Sequence, residues 1–259
     1  MAKLTDKPVY KLGRLKFSVK NCDPTFAQSL KELLPPGQCE NDETTKVVDV
    51  ATGCNNDFDA LFGYMRERHR DCLWIDAACL KSPRGQLVLL AGASNTGKST
   101  TALALALGYG WSVLAEDVTL IDLKQNKILS FLTPFSIKDG TLQLLNNTIG
   151  RAPASLIKEQ WVAMGEMGCT DNYDLDFNLA ILLLDLAKEE LSFEVAAISP
   201  QTFVRMILSR SNILRIHGSA DQLAGSLSTG TCYSLKGGSL QERINFIFEQ
   251  LGSLGANQQ

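Results

Sequence analysis

The chain has little of what marks several function classes. Its seven cysteines form no C-x-x-C pair, and its two histidines, His69 and His217, stand far apart. Structural zinc therefore lacks its usual ligand set, and an odd, scattered cysteine count does not describe a disulfide scaffold. Cys72 and Cys79 sit in apolar context and read as small buried hydrophobes, the reduced thiols of a cytoplasmic protein. No apolar run reaches the length of a bilayer span. "LAILLLDLA" (Leu179–Ala187) is too short, contains Asp185, and reads as a buried strand. The opening "MAKLTDKPVY" has no apolar signal core. A formal charge of -3 over 259 residues gives no electrostatic reason to expect nucleic acid. Repeats and low-complexity segments are absent too. The expectation is a cytoplasmic chain with no membrane and no nucleic-acid partner.

What is present is the composition of an ordinary globular protein, 45% hydrophobic and 20% charged. In "LKFSVK", Leu15, Phe17 and Val19 alternate with Lys16, Ser18 and Lys20, which predicts a half-buried strand. Asp23-Pro24 starts a helix carrying Phe26, Leu30 and Leu33, with Pro35-Pro36-Gly37 as its stop. "CENDETT" (Cys39–Thr45) reads as a loop and "KVVDVA" as a strand. A second helix runs from Asp57 to about Arg68, with Phe58, Leu61, Phe62 and Met65 on one face. "DCLWIDAACL" is a strand and Ser82-Pro83-Arg84-Gly85 a turn. Short runs follow, "WSVLAED", "VTLIDL", "KILSFL" and "PFSIK", spaced for antiparallel hairpins. After a loop-rich middle (Asn146–Asp176) come the strands "NLAILLLDL" and "LSFEVAAIS", a helix from Ser199-Pro200, and a closing strand, turn and amphipathic helix. The fold expected is α/β, a mixed-sheet core spanning 71–259 with a small α+β N-terminal lobe over 1–70.

One segment carries chemistry. Gly92-Ala93-Ser94-Asn95-Thr96-Gly97-Lys98-Ser99 fits G-x-x-x-x-G-K-[ST] between an apolar strand and a helix. Glycines let the backbone curl so that successive N–H groups face an anion, and the helix adds its dipole and free donors. In this pattern Lys98 reaches the β- and γ-phosphates and the Ser99 hydroxyl, followed by Thr100, faces Mg²⁺. Asn95 can take a left-handed backbone position. A chance match is expected in about one chain in a hundred of this length. The helix "TTALALALG" is apolar all round and belongs in the core.

A helix from Lys98 to Leu107 runs about 15 Å away from the loop, and "WSVLA" as a strand returns roughly 16 Å. Glu116-Asp117 should therefore arrive beside the phosphates. Carboxylates there suit a Mg²⁺–ATP site, one oxygen holding the metal and another taking a hydroxyl proton. The bland alternative is an acidic pair capping a turn.

The order "GASNTGKSTTALAL…GYGWSVLAED" resembles the HPr kinase/phosphorylase group, whose core resembles phosphoenolpyruvate carboxykinase. The likeness runs from about Trp74 to the end, with weaker support from "LGRLKFSV". It implies ATP and Mg²⁺ as nucleotide and metal, Ser99, Glu116 and Asp117 as metal ligands, and Asp117 as proton acceptor. In "LTPFSIKDGTLQLL" it implies Lys138 as a basic residue facing phosphate. It also implies a homo-oligomer and a serine hydroxyl on a protein or precursor peptide, as in lasso-peptide maturation. Three departures stand out. "WIDAACL" puts Asp76 about where relatives carry His, the glycine-rich signature with a metal-binding Glu is missing, and the N-terminal lobe is unlike the regulatory domain of full-length enzymes. Asp76 either joins the catalytic group, binding metal or tuning Asp117, or caps a strand contact. Arg151, Arg205, Arg210 and Arg215 are further cations among which the sequence does not choose. A small-molecule hydroxyl kinase (free serine, for instance) and a non-catalytic nucleotide-binding regulatory module remain alternatives.

Overall fold

The computed structural model describes residues 8–34, 46–49, 56–153, 156, 160–168, 173–174, 179–184, 192–228 and 230–255. β1 (Tyr10–Leu12) and β2 (Leu15–Lys20) form a hairpin, and β3 (Lys46–Asp49) lies parallel to β2. The expected alternation in β2 is imperfect, because Ser18 is buried along with Phe17 and Val19. Asp23 caps α1 (Pro24–Leu33) by accepting from the Thr25 and Phe26 amides. Asp57 caps α2 (Phe58–Arg66) from the Ala60 amide, and the four apolar residues predicted for one face are all buried. The Pro35-Pro36-Gly37 stop and the 39–45 loop lie outside the described residues.

β4 (Leu73–Lys81) and β5 (Leu87–Gly92) are antiparallel neighbours across the Ser82–Gly85 turn. After the loop comes α3 (Lys98–Tyr109), then β6 (Ser112–Ala115), β7 (Val118–Asp122) and β8 (Lys127–Leu129). β6 and β7 both pair antiparallel with β4, and β7 with β8, so the expected hairpins form. β9 (Phe135–Ser136) does not continue this series and pairs instead with β10 (Trp161–Val162). Pro134 just before it has no N–H to extend a ladder. α4 (Thr141–Ile149), which occupies part of the expected loop, is bounded by Gly140 and Gly150 in left-handed conformation. β11 (Tyr173–Asp174) pairs with β8. β12 (Leu179–Leu184) lies parallel to β5 on one side and to β14 (Thr231–Lys236) on the other, and β13 (Glu194–Ala197) closes that edge. The remaining helices are α5 (Pro200–Met206), capped by Ser199, α6 (Ser219–Ser226), which no sequence signal announced, and α7 (Leu240–Gly255). Among the described residues, nine of these strands make one mixed sheet in the order β11-β8-β7-β4-β5-β12-β14-β13, with β6 beside β4.

Period two explains why this sheet is covered on both faces. Ala78 and Leu80 of β4, with Val88 and Leu90 of β5, pack with the buried α3 and with α7. The alternate residues, Ile75, Ala77 and Cys79 with Leu87, Leu89 and Ala91, pack against α5 and α6. Asp76 has the parity of Ala78 and so faces the side of α3. A third cluster joins Phe17, Phe26, Phe58 and Leu61 of the N-terminal segment to Leu120, Leu129 and Trp161 of the core. Among the described residues, no helix is long and apolar enough to cross a membrane. Cys22, Cys72, Cys79 and Cys232 are free thiols; the other three cysteines lie outside the described residues.

Candidate active site

The loop from Gly92 to Ser99 has the backbone that its residues dictate. Gly92 sits at φ +151°, where a Cβ would lie 2.4 Å from the Leu184 carbonyl oxygen of β12. Asn95 takes φ +68°, the left-handed position expected of it, and Gly97 takes φ +87° as the helix N-cap. Gly97 offers no side-chain cap, so the first-turn amides of α3 are not satisfied by a cap. Thr96 turns inward, its hydroxyl donating to the Ala93 carbonyl at 2.8 Å. Lys98 folds back across the loop, its Nζ donating to the Gly92 and Ala93 carbonyls, each at 2.9 Å.

α3 and β6 carry the chain out and back as their lengths require, and Asp117 lines the same cavity of about 310 Å³ as Ser94, Asn95, Gly97, Lys98, Ser99 and Thr100. Asp76 and Lys138 line it too. Asp76 is paired in register with Val118, beside Asp117, and the Ala77 amide donates to the Asp117 carbonyl at 3.0 Å. Lys138, just beyond β9, reaches the loop tip, its Nζ donating to Asn95 Oδ1 at 2.7 Å and Ser94 Oγ at 3.3 Å. Glu116 is buried behind this cavity, where the Ser99 hydroxyl donates to its carboxylate. Gly92, Ala93 and Thr96 shape the loop from behind and do not line the cavity.

These charges strain one another. Burial, then the Asp117 charge, pushes Glu116 up to about 8, with Ser99, Lys98 and Lys138 pulling the other way. Burial and Asp117 raise Asp76 as well, opposed by Lys98, Arg66 and Arg210. Lys98 is held below the ordinary lysine range by burial, and the carboxylates of Asp117, Asp76 and Glu116 draw it back up. A site with three carboxylates around one buried lysine is short of positive charge. Among the described residues, no group of three or more His, Cys, Asp or Glu makes a metal cage. The donor set suits Mg²⁺ instead, which takes one or two carboxylates and completes its shell with water and phosphate oxygens. Ser99, Glu116 and Asp117 carry oxygens that could hold such an ion.

Of the four undecided arginines, Arg210 comes within electrostatic reach of Asp76 and Lys98. Arg151 instead bonds the Leu107 carbonyl at 3.0 Å, at the far end of α3. Arg205 lies exposed in the last turn of α5, and Arg215 lines a different cavity. Sequence reasoning missed Arg243 of α7. It is 1% exposed, and its guanidinium donates to the Thr96 carbonyl at 2.6 Å and to the Gly237 carbonyl at 2.9 and 3.2 Å. A signal was present: Arg243 stands in the stripe of Leu240, Ile244 and Ile247, the buried face of an amphipathic helix. Asp59 and Arg66 of α2 were missed as well; they line a second cavity with Glu116 and Asp117.

No family model matches the chain, and no curated protein matches it in sequence. Among solved structures it is similar to the HPr(Ser) kinase/phosphatase from Coxiella burnetii, with a TM-score of 0.34 and 13% identity over 71% of this chain and 97% of that one.

Proposed function

We propose that this chain is a kinase that moves the γ-phosphoryl group of ATP, with Mg²⁺, to a hydroxyl, most simply a serine of a protein or peptide. The observation that carries the reading is the convergence of Lys98, Ser99, Asp117 and Lys138 on one cavity at a helix N-terminus. The loop amides and the α3 dipole bind the phosphates. On binding, Lys98 Nζ exchanges the Gly92 and Ala93 carbonyls for phosphate oxygens. Ser99 and the acidic pair would hold Mg²⁺, which would supply charge neutralisation at the phosphates. Asp117 accepts the proton of the attacking hydroxyl as its oxygen bonds to the γ-phosphorus and the bond to the ADP oxygen breaks. Lys138 bridges from the opposite wall to the loop tip and offsets charge spreading over the transferred group. Asp76 acts on the charge balance around Asp117 and Lys98, which is a different task from that of a histidine.

Asp117→Asn should lower transfer from γ-labelled ATP by about 10²–10⁴-fold while keeping nucleotide binding. Lys98→Ala should lose nucleotide affinity itself, and unchanged affinity would sink the reading. A nucleotide-sensing module without catalysis would bind ATP and show no transfer for Asp117→Asn to abolish.

A further inference from the structure

Beside the loop lies a second cavity of about 360 Å³ that shares Ser99, Asp117, Ser136 and Lys138 with the first. Its other wall is not part of the loop's neighbourhood. Asp59, Phe62, Gly63 and Arg66 recur at helical spacing along one face of α2 and line it together with Trp161. The cavity therefore opens on the acidic pair from the side of the N-terminal segment, where an acceptor hydroxyl has to approach.

Arg66 is built as a receptor. Its guanidinium lies over the Trp74 ring, 4.8 Å from the centroid, which holds the side chain in place where it lines the cavity. Its Nε is buried without a hydrogen-bond partner among the described residues. Among the described residues, the carboxylate paired with it is that of its chain neighbour Glu67, at a long 3.9 Å. The same side chain lines a third cavity, of about 380 Å³, with Arg70, Arg215 and Glu67. Three arginines against one glutamate make that continuation basic, while the wall near Asp117 is acidic. An arginine held in place on a ring, with no close carboxylate of its own, can take an incoming carboxylate bidentately.

We propose that this second cavity is the acceptor site and that Arg66 is its specificity residue, pairing with a carboxylate carried close to the hydroxyl that is phosphorylated. The acceptor is a peptide segment with an acidic residue beside its serine, the acid lying toward Arg70 and Arg215. This rests on the kinase reading above, and the two fail differently. Loss of that reading appears as no nucleotide binding or no transfer to any acceptor. Failure of this one appears as transfer without regard to acceptor charge.

The test is transfer from γ-labelled ATP to serine peptides that differ only in flanking Glu, Gln or Lys, with free L-serine as a separate arm. The wild-type protein should favour the Glu peptide over the Gln peptide by about ten- to a hundredfold in kcat/KM, through KM. Arg66→Met should erase that preference, with the nucleotide KM unchanged. Arg66→Glu should reverse it toward the Lys peptide, a gain that an unfolded variant cannot show. Arg66→Lys, which keeps the charge and loses the fork, should fall between. Use of free L-serine, with a KM that rises in Arg66→Met, would keep the carboxylate pairing and move its source to a small molecule. Equal use of the three peptides by the wild type, or a preference that survives Arg66→Met, would overturn the proposal.

Discussion

Two regions of this chain bury titratable groups, and they do so with opposite economy. At the joint between the N-terminal segment and the core, His69 is 3% exposed and both ring nitrogens are used. Nε2 accepts from the Arg14 amide at 3.1 Å, and Nδ1 meets the Met65 carbonyl at 3.0 Å, which defines the neutral tautomer with its proton on Nδ1. Burial holds the ring below its ordinary value. Gly13 completes the joint at φ +59°, since a Cβ there would stand 2.5 Å from Nε2. Around the loop, by contrast, Glu116, Asp76 and Asp117 repel one another with Lys98 between them. Burial is common to both regions; satisfaction is not. A buried polar group whose partners are all supplied by backbone supports the fold, and one left in conflict awaits a ligand.

That contrast is broken most sharply by paired variants read for both activity and stability. Asp117→Asn, with its loss of about 10²–10⁴-fold in transfer, should leave the melting temperature of the nucleotide-free protein unchanged or higher. The amide removes a repulsion felt by Glu116, Asp76 and Asp59. Gly13→Ala should do the reverse. It costs about 1–3 kcal/mol of stability through the left-handed backbone and the contact with His69, and leaves the nucleotide KM of the folded protein alone. A large loss of melting temperature in Asp117→Asn would remove the distinction between the regions.

Arg243 tests whether the loop has a structural support of the satisfied kind. Arg243→Met leaves the Thr96 and Gly237 carbonyls without their charged donor, and each buried orphan costs about 1–3 kcal/mol. The expected outcome is a lower melting temperature together with a nucleotide KM raised about tenfold, since Thr96 belongs to the loop. Arg243→Lys should recover stability in part. A nucleotide KM that does not move in either variant would make Arg243 a support of α7 alone.

The loop and the acidic pair were legible because their signals are local. Glycine and asparagine positions encode the curl, and the lengths of one helix and one strand return Glu116-Asp117 to it. The hairpins, the helix starts at Asp23, Asp57 and Ser199, and the buried α3 were legible for the same reason. Arg243 reaches Thr96 across 147 positions of sequence, and nothing local says which loop it meets. Arg66 and Asp59 share a helix face with Phe62, yet the wall opposite them comes from Asp117, Thr133 and Pro134. β9 was read as part of a hairpin because its pattern is that of a strand, and only Pro134 hinted that it leaves the sheet. α4 carries an ordinary glycine stop at Gly150 but no side-chain cap at its start, where Gly140 stands in left-handed conformation. What stayed hidden is what depends on the approach of distant segments.

Acid and base sharpen the comparison further, because the two regions respond to pH with opposite sign. Glu116 titrates near 4.5 in the unfolded chain and is pushed up to about 8 in the fold. Between those values the folded state holds a proton that the unfolded state has released. Its stability contribution is therefore complete below about pH 4.5 and is lost as pH rises through about 8. The melting temperature of the nucleotide-free protein should fall across that window, and Glu116→Gln should flatten the fall. An unchanged slope in Glu116→Gln would show that Glu116 is charged throughout, already compensated in the free protein.

The smallest effect lies at His69, and it runs the other way. Its folded pKa is lowered by burial from the ordinary 6.5, so the unfolded state binds the proton first as pH falls. The joint contributes its full stability above about pH 6.5 and loses it as pH drops through the folded value. Protonation would place an N–H at Nε2 against the Arg14 amide, removing the acceptor on which that contact depends. The Met65 carbonyl and Asp71 favour the proton, and Arg14 opposes it. His69→Gln should cost about 1–2 kcal/mol near neutral pH and remove this acid-side dependence, with no change in the pH profile of nucleotide binding. Nuclear magnetic resonance titration of the imidazole should show the Nδ1–H tautomer and a pKa below the ordinary histidine value. A ring that titrates at the ordinary value would mean that the joint opens to water before the core does.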